Sequence, residues 1–425
     1  MEAGFPIRGR LRPLAAACLV LAMVLTGPGA AEAAKKFQLI PALSVVGEYD
    51  DNVLLVPDES DAEKEWDVSV AANPSLAMTY TSYYTNARIG AAAGFKHFFE
   101  EPDNDNNPEF TSGEILYGRW ATPRIRVEFS DRFFYFLDQR QAEEEDPLIP
   151  RTESITNNIE ARMLNSVAMR TRLNFTFRLI TVEFEEVEIQ DSFEHDAELE
   201  LEQRVGVNYL LRGFYAFRRV VYDDDMDMFR SQFDDEFRAP DRYPSNLSGE
   251  QDFDVHTVGA GVDYQLTPTF SVQVMSGVLF PAVLEEDVYK LSQLDWAQSL
   301  TLTRAFEFMN LNAGYHREIQ PAHGTSGAAL TQRFVLDLDR TWFRDFTTVL
   351  SGGYSKYDLD PGTTDSYNGS IMVRYQVWRW MGVSLTYSHL TQIRQLGEEE
   401  EENLKINRVI LVLTFLPPRP DLLRF

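Results

Sequence analysis

Hydrophobic and polar residues alternate along most of the chain with a period of two. Between Trp66 and Tyr80 the even positions are apolar, with aromatic residues at both ends, and the odd positions are small or polar. Successive side chains of a strand point to opposite faces, so this segment predicts a strand with one apolar and one polar face. At about 3.3 Å per residue, the apolar face is long enough to cross a membrane.

The same alternation recurs to the end of the chain. The alternating segments run for about 11–15 residues, and they are joined by eight short turns and nine long loops, hence eighteen strands. Soluble strands are shorter, about 5–6 residues, and short turns opposite long loops are typical of outer-membrane barrels. The sequence therefore predicts an all-β fold, a single transmembrane antiparallel β-barrel of about 18 strands (16–18), with short periplasmic turns and long acidic extracellular loops.

A membrane sheet must close, because lipid cannot hydrogen-bond an unpaired strand edge. We expect the first strand, around residues 37–47, to pair with the last, around 404–416. The last strand alternates and ends on an aromatic residue, as the recognition signal of outer-membrane assembly machinery does. Prolines follow it, so either Phe415 or the terminal Phe425 is the signal.

Four places fit the alternation badly. Residues 110–120 and 214–222 show no clear apolar face, so the predicted number of strands is uncertain by two. Pro74 lacks the N–H that a ladder needs and predicts a bulge. Asp131 falls on the apolar face of its strand, which predicts a bulge there or a position above the bilayer.

The N-terminus has the pattern of a secretory signal. Arg8, Arg10 and Arg12 precede an apolar run over residues 14–26, and Ala31-Glu32-Ala33 matches a cleavage site. The alternative is an uncleaved anchor. The predicted organisation is a signal peptide (residues 1–33), a barrel (34–416) and a proline-rich tail (417–425).

The net charge of the chain limits the classes of partner that it can bind. The chain has 39 Lys and Arg against 66 Asp and Glu, a net charge of −27, which argues against nucleic acid because phosphates need clustered cations. Most acidic runs lie in the long loops, where they are expected to be solvated. The alternative is divalent-cation binding that bridges to lipopolysaccharide, with Asp223, Asp225 and Asp227 as a weak Ca²⁺ candidate.

Charged residues of both signs also fall on the polar faces of the strands. They either form cross-strand ion pairs that stiffen the wall or line a channel that sorts solutes. The predicted lumen-lining residues are Arg88, Lys96, Arg126, Glu128, Arg132, Arg170, Arg172, Arg178, Glu200, Arg204, Arg333, Asp337 and Arg374.

Signals for catalysis are weak. No two of the six histidines have metal-ligand spacing, and the sequence contains neither H-E-x-x-H nor G-x-S-x-G. His97, His256 and His389 fall on apolar faces near predicted strand ends, which favours a position at the membrane interface. The sequence predicts no enzyme and no cofactor.

One motif carries a family resemblance. The segment Pro41-Ala42-Leu43-Ser44-Val45, followed by Tyr49-Asp50-Asp51-Asn52-Val53, resembles the start of the beta-barrel porin type 2 family. The resemblance implies an outer-membrane barrel related to exopolysaccharide secretion. Independently of it, Asp50-Asp51-Asn52 fits ordinary turn chemistry after a strand.

Three functions follow for a barrel in the outer membrane of a Gram-negative bacterium. The first, which rests on the resemblance, is a conduit in secretion of an extracellular polysaccharide, together with a periplasmic polysaccharide-export protein. The second is a passive diffusion porin for small hydrophilic solutes, and the third is a structural sleeve around a partner protein. The expected surroundings are outer-membrane lipid and lipopolysaccharide, and the sequence leaves the cargo, the oligomeric state and the openness of the lumen undecided.

Overall fold

A computed structural model describes residues 36–52, 64, 66–100, 110–136, 154–184, 191–222, 253–283, 294–321, 328–358, 362–396 and 400–416. Eighteen strands in these residues form one sheet. The strands are β1 Lys36–Asp50, β2 Asp67–Thr81, β3 Thr85–Phe98, β4 Phe110–Trp120, β5 Ile125–Phe136, β6 Ser154–Ala168, β7 Thr171–Phe184, β8 Ser192–Val205, β9 Tyr209–Tyr222, β10 Phe253–Thr267, β11 Phe270–Val283, β12 Asp295–Ala305, β13 Met309–Pro321, β14 Ala328–Phe343, β15 Phe346–Asp358, β16 Gly362–Trp378, β17 Met381–Leu396 and β18 Glu400–Phe415. No helix in the described ranges is long and apolar enough to cross a membrane.

The sheet closes on itself. Each strand pairs antiparallel with its sequence neighbours, and β1 pairs with β18 from Leu43 opposite Phe415 to Asp50 opposite Arg408. The predicted closed barrel of eighteen strands is confirmed, and the two stretches without a clear face are β4 and part of β9. Closure leaves no free edge, which is the condition for a sheet to span lipid.

Short turns lie at one end of the barrel, which is the periplasmic end, and the other connections lie at the extracellular end. Two connections that the sequence predicts to be long are short in the structure. Only residues 359–361 join β15 to β16, and only 397–399 join β17 to β18. The ladders continue through polar residues there, for instance Ser355 opposite Ser366, because the backbone pairs whatever the side chains are.

The outer surface is apolar with aromatic residues towards both ends. Trp378 and Trp380 stack at the periplasmic end with ring centroids 5.1 Å apart, and Tyr49 lies 6.2 Å from Trp66 at the extracellular end. Between these levels Leu411 on β18 and other aliphatic side chains are exposed. This distribution, an apolar band between two aromatic girdles, is that of a membrane-spanning barrel.

Two sequence-based predictions about local geometry are wrong. Pro74 lies opposite Leu43 with no register shift, so it marks no bulge. Asp131 pairs with Ile115 and Ile159 in regular register, in mid-strand and on the outward face, so neither a bulge nor a position above the bilayer accounts for it. Its side chain is only 7% exposed, and its cross-strand partners Ile115 and Ile159 flank it on the same face.

Several predictions concern residues outside the described ranges. The signal peptide (1–33), the tail (417–425) with Phe425, and most of the acidic runs belong to them. Phe415, the other candidate for the assembly signal, is the last residue of β18 and lies 6.2 Å from Trp380.

Candidate functional site

The candidate site is the inner face of the barrel. Cross-strand partners share a face, and the large exposed apolar side chains lie on the outward face, so the alternate positions point into the lumen. Twelve of the predicted lining residues occupy inward positions: Arg88, Lys96, Arg126, Glu128, Arg132, Arg172, Arg178, Glu200, Arg204, Arg333, Asp337 and Arg374.

Arg170, the thirteenth candidate, is placed differently. It lies in the periplasmic turn between β6 and β7, where its carbonyl accepts a hydrogen bond from the Arg204 amide at 2.8 Å. The alternation misplaced it because β6 ends at Ala168 with a register shift, and the turn interrupts the pattern.

Three inward arginines, one on β7 and two on β9, each bridge two carboxylates on one or both neighbouring strands. Together with their partners they form what we call the charged wall, the inner face of β6–β10. The bridges, with N–O distances, are Arg178 to Glu160 (3.3 Å) and Asp196 (3.5 Å), Arg212 to Glu200 (2.8 Å) and Asp263 (2.6 Å), and Arg218 to Glu194 (3.0 Å) and Asp196 (3.0 Å).

Ion pairs occur on other strands as well. Lys96 on β3 contacts Glu48 on β1 at 2.8 Å, across the intervening strand β2, and both side chains are largely buried. Arg88 pairs with Glu114 in the periplasmic half of the barrel. Such bridges stiffen the wall, and the ones with exposed partners contribute little stability, since solvent screens them.

The wall opposite β7–β8 is uncharged over most of its length. In a ring of eighteen strands, β16 and β17 lie half a circumference from β7 and β8. Their inward positions include Asn368, Ser370, Ser384, Thr386 and Ser388. The lumen therefore has a charged wall facing a wall of hydroxyl and amide groups, which are groups that water can solvate.

Burial of the inward side chains increases towards the extracellular end. On β3 the side chain of Arg88 is 50% exposed, whereas that of Lys96 is 6% exposed. Buried inward positions occur near the extracellular end of strands around the whole barrel, namely Asp67, Ser69, Ser154, Ser192, Ser355, Ser366 and Gln392. The inward side chains of the described strands are therefore more accessible near the periplasmic end than near the extracellular end.

The motif that carries the family resemblance closes the seam between β1 and β18. The Asp51 carboxylate accepts hydrogen bonds from the backbone amide and the side-chain amide of Asn407, both at 2.6 Å. Asn52 donates to the carbonyl of Lys405 at 3.2 Å, and Asp50 pairs with Arg408 at 3.1 Å. These residues act as a clamp where the first and last strands meet.

The structure adds no support for the predicted Ca²⁺ site or for a catalytic site in the described residues. Asp223, Asp225 and Asp227 lie outside the described ranges, and the described residues contain no group of three or more His, Cys, Asp or Glu that could hold a metal ion. His256 and His389 point outward and bond to Tyr215 (2.9 Å) and Asn407 (2.8 Å). The absence of enzymatic activity stays a prediction.

No protein-family model matches the sequence, and no curated protein matches it. Among solved structures, Pseudomonas aeruginosa OpdQ is similar at 9% identity, over 90% of this chain and 98% of that one, with a TM-score of 0.46. Acinetobacter baumannii OccAB4 shares 9% identity over 89% and 98% of the two chains (TM-score 0.47). The siderophore receptor PirA of Pseudomonas aeruginosa shares 10% over 89% and 80% (TM-score 0.43).

The barrel assignment itself rests on the strand pairing of this chain. A closed sheet with an apolar outer band spans a membrane, and single-chain barrels with periplasmic turns and extracellular connections belong to bacterial outer membranes. The protein is an outer-membrane β-barrel, and its predicted localisation is confirmed.

Sequence reasoning missed part of the charged wall. Arg212 and Arg218 lie on β9, where Phe214, Val220 and Tyr222 also face inward. An inner face that contains aromatic residues hides the alternation, which is why neither arginine appears among the predicted lining residues. The available signal was spacing: positions 212 and 218 have the same parity, which on one strand means the same face.

Proposed function

We propose that the protein is a passive channel for small hydrophilic solutes. The observation that carries the proposal is the polar inner face, with the charged wall on one side and hydroxyl groups on the other. Polar side chains replace part of the hydration shell of a solute, so it passes without covalent chemistry or a cofactor.

The size of the barrel agrees with this role. Barrels of about 16–18 strands enclose an aqueous channel, whereas about eight strands leave room only for side chains. Arg172 illustrates the accessible part of the passage: its side chain is 64% exposed and lies 4.0 Å from Glu202.

Single-channel recording of the purified protein in planar lipid bilayers tests the proposal. We expect stable conductance steps and uptake of neutral sugars by vesicles that contain the protein. A correctly folded protein that conducts no ions and admits no sugar would falsify the passive-channel function.

A matched pair of variants locates the conducting path. Arg172→Glu reverses a charge on the inner face, and Arg170→Glu makes the same change in the adjacent turn. We expect the first to shift the reversal potential towards cation selectivity and the second to have a smaller effect. Equal shifts would mean that the inner face of β7 does not lie along the path.

Secretion of a polysaccharide stays a prediction and rests on the resemblance at residues 41–53. In the structure Asp50, Asp51 and Asn52 of that segment bond to β18, which accounts for them without reference to a cargo. Deletion of the gene tests this function directly: unchanged surface polysaccharide would contradict it. The sleeve function predicts instead that a partner protein co-purifies with the barrel.

A further inference from the structure

The extracellular end of the hairpin β13–β14 leaves the wall of the barrel. β12 begins at Asp295, but β13 pairs with it only up to Arg317 opposite Gln298. Beyond this point β13 continues to Pro321 and pairs only with β14, as far as Ala328. The upper part of the hairpin therefore has no ladder on its β12 side.

Contacts of Ile319 show where the hairpin goes. Ile319 is 3% exposed and belongs to one buried cluster with Val220, Phe253 and Leu279, which face inward on β9, β10 and β11. Its carbonyl accepts a hydrogen bond from Nη1 of Arg218 at 2.8 Å. Along the wall, β9 and β13 are four strand spacings apart, about 19 Å at 4.7–4.9 Å each. No arginine side chain bridges that distance, so the end of the hairpin lies inside the barrel.

The alternation of inward and outward positions along β13 and β14 also indicates that the end of the hairpin lies inside the barrel. Ile319 and its cross-strand partner Leu330 occupy positions that, lower in the hairpin, face the membrane. Here they pack against the inner surface of β9–β12, Leu330 together with Ala297. The outer face of the hairpin is thus turned onto the inner face of the neighbouring strands β9–β12, which shields its apolar side chains from water.

Ion pairs anchor the hairpin in this position. The Arg218 guanidinium, which holds the Ile319 carbonyl, contacts Asp196 and Glu194 at 3.0 Å each. On the other side Arg317 pairs with Asp295 at 2.8 Å. The carboxylates keep Arg218 in the orientation that meets the hairpin backbone, so Arg218 is a positioning residue.

We propose that this tucked hairpin end is the constriction of the channel and decides which solutes pass. A cavity of roughly 340 Å³ lies beneath it, between the hairpin and the charged wall, with Arg178, Glu198, His316 and Glu318 among its lining residues. Solutes from the periplasmic side reach this cavity and meet the hairpin next. The proposal rests on the passive-channel function only in that a conducting path exists for the hairpin to narrow.

Replacement of Ile319 by Asp tests the constriction. The added carboxylate would be buried among Val220, Phe253 and Leu279, which disfavours the tucked position. Ile410→Asp is the matched control, because Ile410 also faces inward, opposite Glu48 on β1, but contacts no part of the hairpin cluster. We expect about a two-fold rise in single-channel conductance for Ile319→Asp and a small change for the control.

The outcomes separate the two proposals. If the wild type conducts and Ile319→Asp conducts more, both are supported. If the wild type is silent and Ile319→Asp conducts, the constriction is supported and free passive diffusion is wrong. If both conduct equally, the constriction is wrong and the passive channel stands.

Chemical labelling tests the position of the hairpin without any transport. In a background where Cys18, the single cysteine of the chain, is replaced by Ser, Ile319→Cys is labelled with a water-soluble maleimide in the purified protein in detergent, where both ends of the barrel are accessible. We expect slow labelling relative to Tyr83→Cys, whose parent side chain is 75% exposed, and faster labelling once Arg218→Gln is added. Labelling of Ile319→Cys as fast as that of Tyr83→Cys would overturn the proposal, even if every variant is silent in bilayers.

Discussion

Removal of Arg408 is expected to weaken the seam between β1 and β18 severely. Arg408 lies 3.1 Å from Asp50, and both side chains are only 9% exposed. Truncation to Ala removes the Arg408 cation from the buried Asp50 carboxylate, which still accepts a hydrogen bond from the Asn52 amide at 2.9 Å. Loss of one partner from a buried pair costs about 3–5 kcal/mol. We therefore expect the free energy of unfolding of Arg408→Ala to fall by about that amount.

A second ion pair, Arg126 with Glu128, allows the effect of burial to be separated from the effect of distance. Arg126 lies closer to Glu128, at 2.7 Å, but these side chains are 30% and 31% exposed. Solvent screens such a pair, and exposed pairs contribute about 0–1 kcal/mol. Arg126→Ala is therefore the matched control, although its separation is the shorter of the two.

Urea unfolding of the barrel in detergent or vesicles, followed by tryptophan fluorescence, measures both variants. The double variant Asp50→Leu with Arg408→Leu is expected to be more stable than Arg408→Ala, because it buries no lone charge. If Arg408→Ala stays within about 1 kcal/mol of the wild type, or loses no more than Arg126→Ala, the clamp does not hold the seam.

Three further predictions concern the two faces of the wall. Leu411→Arg should cost about 2–4 kcal/mol, since Leu411 faces lipid, whereas Val412→Arg on the inward face should cost about 1 kcal/mol or less; equal losses in urea unfolding would contradict the assigned faces. Asp131→Leu should stabilise the barrel by about 1–2 kcal/mol, because it removes a carboxylate from the lipid-facing side; a clear loss of stability would mean that the carboxylate binds a partner there. Arg212→Gln should make the channel more cation-selective in reversal-potential measurements, since its carboxylate partners, among them Asp263, lose their counter-charge. An unchanged reversal potential would place the charged wall outside the conducting path.

The alternation of apolar and polar residues was the main signal from which the fold could be predicted. A side chain on a strand has two faces to choose from, so a period of two identifies the strand, its lipid-facing side and its inner side together. This is why Val68 and Val70 are outward and Ser69 inward, as expected from Trp66 to Tyr80. The number of strands followed from counting turns, and closure followed from the lack of hydrogen-bond partners in lipid.

Alternation failed where side chains of one parity are mixed. On β9 the inward positions include both Arg212 and Phe214, so the strand showed no apolar face in the sequence. The extracellular ends of β15, β16 and β18 extend beyond the predicted boundaries, because backbone pairing continues through polar residues above the membrane. The polarity of a residue reflects the surroundings of its side chain, and on the inner face of β9 those surroundings change between polar and apolar along the strand.

Contacts between distant parts of the chain decided the candidate site. Arg218 and Ile319 are 101 positions apart, and nothing in the pattern around either residue indicates that one holds the backbone of the other. The same is true of Asp51 and Asn407, 356 positions apart, which meet because the sheet closes. The order of apolar and polar residues determines that the chain becomes a barrel, because each residue must choose lipid or lumen. Which charges meet inside it, and where the passage narrows, depends on the register of eighteen strands and on one hairpin that leaves the wall.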